Sequence, residues 1–152
     1  MKSEKKTLTK LEVIEIANGI GHISGLNKET GFPVYDLGPL VHAALGRTQR
    51  HLKGVMETLA EEQKPHDERQ RDIATERDEA LKKLNGEANR SEVEKPFQER
   101  FEEARKLRAA WHKEPTEVSL FPFKWSDIRN KGLTPTPEIL AYLEPLIIYD
   151  DK

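Results

Sequence analysis

Arg47, Arg50, His51 and Lys53 crowd four basic side chains into one short stretch, and no acidic residue occurs between Leu37 and Met56. At about 100° per residue, a helix here puts Arg47, His51 and Gly54 on one face, with Arg50 at its edge. Guanidinium groups fork onto paired oxygens, so such a face could hold a phosphate, a nucleotide or an acidic partner surface. The plainer reading is a solvated face whose charges pair with acids elsewhere. A second candidate lies in Leu120-Phe121-Pro122-Phe123-Lys124-Trp125. The late aromatics suit a small core, yet large aromatic side chains are also the usual anchors of protein interfaces. Phe121, Phe123 and Trp125 are therefore candidate partner-facing aromatics.

Other chemistries find no support in the residue pattern. There is no cysteine, which removes disulfides, thiolate metal sites and a cysteine nucleophile. His22, His42, His51, His66 and His112 form no His-x-x-x-His pair, so no metal site is expected. Glu61-Glu62 and Glu102-Glu103 fall on exposed helix faces, where nothing shifts a carboxyl toward general acid or base work. Gly19-Ile20-Gly21-His22-Ile23-Ser24-Gly25 resembles the start of a phosphate loop, but Ser24 stands where a dinucleotide fingerprint needs its third glycine. The simpler role for those glycines is to let another helix approach closely. No catalytic residues and no cofactor are expected, and the protein is read as a non-enzyme.

Composition says what must carry these residues. The 152 residues are 36% hydrophobic and 34% charged, with a net charge of -2. The core must be thin for the length, which suits long helices that bury one stripe and wet the rest. The near-neutral balance argues against nucleic-acid coating. No apolar run approaches the roughly 18 residues of a membrane span, and no apolar segment follows Met1-Lys2-Ser3-Glu4-Lys5-Lys6. The expected location is the cytoplasm.

Residues 1–8 are polar and expected to fray. Thr9-Lys10-Leu11-Glu12 reads as a capping box, and Val13, Ile16, Ala17, Ile20 and Ile23 then recur at helical spacing. This predicts a helix over 10–24, with a strand at 11–16 as the alternative. Residues 25–36 form a loop in which Phe32, Val34 and Tyr35 dock on the core. Asp36 then caps a helix with Pro39 in its first turn. Leu45, Leu52, Leu59, His66, Ile73 and Ala80 lie seven apart, and so do Met56, Gln63, Gln70, Arg77 and Leu84. A heptad phase kept across Pro65 predicts one long helix kinked there, with local fraying between 60 and 72 and a stop at Asn85-Gly86. Ser91 and Glu94 predict a second capping box, followed by the stripe Phe97, Phe101, Ala104, Leu107, Arg108 and Trp111. From Glu57 to Glu114 there are 16 acidic and 13 basic residues, a pattern of exposed helices laced with ion pairs. Beyond Pro115 come a short strand ended by Pro122, a turn at 125–128, and a short helix capped by Thr136 that buries Ile139, Leu140 and Leu143. An apolar segment at 146–149 follows. The whole is a mainly α single domain: an antiparallel, coiled-coil-like helical hairpin over 37–113, on a small base built by 10–24 with 116–149.

The order of these parts carries a resemblance. Pro33-Val34-Tyr35 leads into the long helix, a charged hairpin follows, then Glu117-Val118-Ser119-Leu120. Last comes Leu133-Thr134-Pro135, running on to Leu143-Glu144-Pro145-Leu146-Ile147. This layout resembles a family of small tailed-bacteriophage and prophage proteins of unknown function. The resemblance implies a phage accessory protein acting in the host bacterial cytoplasm, and it brings no catalytic residues. The leading expectation is a protein that binds a host protein, or its own copies as a homo-oligomer, through helical surfaces. The alternatives are sequestration of a nucleotide or other anionic signal of host defence, and a structural or assembly-chaperone role in the virion.

Overall fold

Thr9 and Glu12 form the reciprocal cap their spacing predicts. The Thr9 N–H donates to Glu12 Oε1 (3.0 Å), and the Glu12 N–H donates to Thr9 Oγ1 (3.2 Å). Helix α1 follows over Lys10–Ser24 and buries Val13, Ile16, Ile20 and Ile23, so the helical spacing prevails over the strand alternative. The glycine run lies within this helix, not in a strand–turn–helix loop. A Cβ placed on Gly21 would meet nothing within 4 Å, so close helix approach does not explain that glycine.

The computed structural model describes residues 2–25, 29, 35–84, 89–128, 131–132 and 137–150. The docking expected of Phe32 and Val34, the stop at Asn85-Gly86, the Thr136 cap and the burial of Ile139 lie outside what is described. The molecule is mainly helical. It divides into two compact units, Met1–Glu57 with Pro115–Lys152, and Thr58–Glu114.

In the first unit, residues 4–9 do not fray. They form strand β1 (Glu4–Thr9), antiparallel to β3 (Pro115–Leu120), with Lys6 opposite Val118. The strand is charged because much of it stays wet: Lys5 faces Glu117 at 3.9 Å, and Lys6 Nζ donates to the Pro145 carbonyl at 2.8 Å. Strand β2 (Tyr35–Asp36) pairs antiparallel with β5 (Lys131–Gly132). Strand β4 (Phe123–Lys124) runs parallel to β6 (Ile147–Ile148), with a tight turn at Trp125–Asp127 and a short helix α4 over Pro137–Tyr142. Leu120, Phe121, Phe123, Leu143 and Leu146 are buried in this unit.

Helix α2 runs over Pro39–Lys82 as one continuous element with Pro65 inside it. The expected fraying between 60 and 72 does not occur, since every residue there is helical. Asp36 does not cap it directly: its Oδ1 accepts from the Gly38 N–H (3.1 Å), and the Gly38 carbonyl starts the helix by accepting from His42. Gly38 sits at φ 97°, a left-handed conformation in which a side chain is strained.

In the second unit, α2 packs against α3 (Arg90–His112) as an antiparallel pair. The register is read from contacts across the pair. Glu62 meets Trp111, Asp67 and Gln70 meet Arg108, Glu76 meets Arg100, and Arg77 lies over the Phe101 ring. The Ser91 capping box is not formed. The helix starts two residues earlier, after Asn89 at φ 74°, and Glu94 pairs with Arg90 at 3.3 Å. Among the described residues only Leu59, Ile73, Ala104 and Trp111 are buried apolar side chains of this unit; Leu107, expected in the stripe, is half exposed.

Candidate functional site

The first turns of α2 carry two opposite faces. Val41, Ala44, Leu45, Thr48 and Leu52 are buried and fix the helix in the core of the first unit. Thr48 is a hydroxyl on an otherwise apolar stripe, and its Oγ1 accepts from the buried Phe121 N–H at 3.0 Å. That bond ties the segment after β3 to the third turn of α2. The His51 ring then rests on Phe121, with centroids 4.9 Å apart. Thr48→Val removes the acceptor and leaves a buried N–H unsatisfied, which should cost about 1–3 kcal/mol in urea unfolding. A loss below a few tenths would show that Phe121 finds another acceptor.

The other face is open. Arg47, Arg50, His51 and Lys53 are all exposed. Arg47 and His51 project side by side, Arg50 stands at their edge, and Lys53 lies about 60° further round, as 3.6 residues per turn require. Leu40, 56% exposed, and exposed Ala43 fall on the same side one to two turns earlier. Leu40 is an apolar residue at the start of the helix stripe, yet it is exposed. It misses the core because the helix begins only at Pro39, and Leu37 and Val41 take the buried positions there. From Leu40 to Lys53 the face runs about 20 Å along the axis, at 1.5 Å per residue.

No acidic side chain among the described residues makes an ion pair with Arg47, Arg50 or Lys53. The second unit is mixed: Lys64, Arg77, Arg90, Arg100, Arg105 and Arg108 each hold a carboxylate, while Arg69, Arg71, Lys82, Lys83, Lys95, Lys106 and Lys113 form no ion pair among the described residues.

The aromatic candidate needs correction. Phe121 and Phe123 are buried, because the Thr48 bond and the β4–β6 pairing turn both rings into the core. Trp125 is half buried, and its ring lies 5.6 Å from that of exposed Tyr149. The structure thus keeps the four basic residues exposed on one helix and takes two of the three candidate aromatics, Phe121 and Phe123, out of partner-facing positions, with Phe121 packed against the His51 ring.

A polar cluster in the second unit could not be read from spacing. Trp111 Nε1 donates to Glu62 at 3.2 Å, Arg108 donates to Asp67 (2.7 Å) and Gln70 (3.2 Å), and the His66 ring lies 5.5 Å from Trp111. Its members are about forty residues apart in the chain; the only sequence signal was a histidine in a heptad position. Among the described residues no group of three or more His, Cys, Asp or Glu is arranged to hold a metal ion. Nor is any described helix long and apolar enough to cross a membrane.

Comparisons with known proteins add no neighbour: no protein-family model, curated protein or solved structure matches the chain.

Proposed function

We propose that the protein is a non-catalytic binding protein that takes an acidic protein surface on the face of α2 between Leu40 and Lys53. The observation that carries this reading is the one-sided basic run at the start of α2: Arg47, Arg50, His51 and Lys53 are exposed, no acid lies between Leu37 and Met56, and Arg47, Arg50 and Lys53 make no ion pair among the described residues. A solvent-facing run of like charge is a steering surface for a partner of opposite sign. The apolar Leu40–Ala43 end supplies area that water would give up on contact. A small anion is served less well, since ligand sites usually enclose most of their ligand and these side chains are open. Taken with the resemblance to tailed-phage proteins, the reading becomes a phage accessory factor whose partner is a protein of the bacterial host.

Capture from bacterial lysate, run in parallel on variants, tests it. Wild type should retain one protein in stoichiometric amount, with retention falling as salt rises. Arg47→Glu/Arg50→Glu should weaken that retention about tenfold or more. Lys95→Glu/Lys106→Glu, at exposed positions of α3, should leave it unchanged. Equal losses from both double variants, or none from the first, would refute the reading. So would a captured nucleotide that Arg47→Glu/Arg50→Glu releases in place of a protein.

A further inference from the structure

His66 occupies the heptad position between Leu59 and Ile73, both buried, so the helix-pairing seam has a titratable ring where its neighbours are apolar. The ring packs on Trp111. Two buried atoms meet here without a hydrogen-bond partner among the described residues: His66 Nδ1 and Arg108 Nε. The charged groups acting on the imidazole are Asp67 and Arg69 on α2, and Arg108 and His112 on α3. The one acid among them, Asp67, is already held by Arg108 at 2.7 Å. Glu62, one turn before His66, accepts from Trp111 Nε1. A proton added to His66 therefore puts a second positive charge beside a guanidinium that is itself incompletely satisfied.

We propose that this joint is a protonation-operated release: mild acidification charges His66 and loosens the pairing of α2 and α3 around Trp111. The proposal is independent of the cationic face of α2. Burial, and then the positive charge of Arg108, Arg69 and His112, hold the His66 pKa below its ordinary value, while Asp67 opposes them. The paired state thus binds fewer protons than the opened state. Its stability is fully present above pH 6.5, the ordinary histidine value, and is lost as pH falls from there toward the lowered value. Carboxylates stay ionised through most of this window, so the loss belongs to imidazole.

Hydrogen exchange by mass spectrometry on the full chain, corrected for intrinsic rates, reads the local effect. Between pH 7.5 and 5.5, peptides covering 62–73 and 104–112 should lose up to about tenfold in protection. His66→Leu should abolish the loss, while His112→Asn keeps it. The imidazole proton resonance of His66 gives a second readout, with a titration midpoint below 6.5. Unchanged protection in wild type, the same loss in His66→Leu, or a midpoint at or above 6.5 would each overturn the proposal.

Discussion

Trp111→Ala should destabilise the second unit by about 3–5 kcal/mol, the usual loss for truncating a large buried aromatic. Exchange protection along α3 and the urea midpoint are the readouts. The reasoning is one of scarcity. Four apolar side chains are buried in this unit among the described residues, and Trp111 is the largest, at 6% exposure. Its indole covers His66 and His112, at 5.5 and 5.1 Å between centroids, and its N–H holds Glu62. The ion pairs around it do not substitute for it. Exposed pairs such as Lys64–Glu61 and Arg105–Glu102 contribute little, because water screens them and holding long side chains in place costs entropy. Trp111→Phe separates packing from the hydrogen bond: it keeps most of the ring area and drops the donor to Glu62, for a loss of about 1 kcal/mol. If Trp111→Ala cost less than Trp111→Phe is expected to, the charged contacts would be the main support of the helix pair, against the argument from burial.

How far the sequence reveals the molecule depends on how local each determinant is. The bounds of α1 are legible because Thr9 and Glu12 cap it within four residues and its apolar stripe is uninterrupted. The continuity of α2 through Pro65 is legible because the heptad phase does not reset there. Ser91 and Glu94 have the same spacing as Thr9 and Glu12, yet Glu94 finds Arg90 instead, so the spacing alone does not secure the cap. Strand β1 is hidden: Glu4, Lys5 and Lys6 look like a solvated tail, and only residues 115–120, more than a hundred positions away, make them a strand. The basic face at Arg47, Arg50, His51 and Lys53 is legible since helix periodicity alone defines it. The burial of Phe121 and Phe123 is not, because it follows from the Thr48 hydroxyl bond to Phe121 and the pairing of Phe123 with Ile147, partners that cannot be inferred from spacing. The same holds for the joint of His66 and Arg108, which exists only in the register of α2 against α3.

Leu45→Ala, on the side of α2 opposite Arg47, should cost about 2–5 kcal/mol by urea unfolding. Leu45 is fully buried, with Val41, Ala44, Thr48 and Leu52 buried along the same stripe, so truncation leaves a cavity that a packed helix cannot collapse around. Arg47→Glu/Arg50→Glu, two residues further on and exposed, should move stability by no more than about 0.5 kcal/mol. The two variants make a dissociation that a single substitution cannot. If the exposed face is for a partner, stability and partner retention separate: Leu45→Ala loses the first, and the charge reversal loses the second. If those cations instead support the fold, the reversal lowers the urea midpoint as well. The assignment of α2 to one buried and one binding face would then fail at its first residue pair.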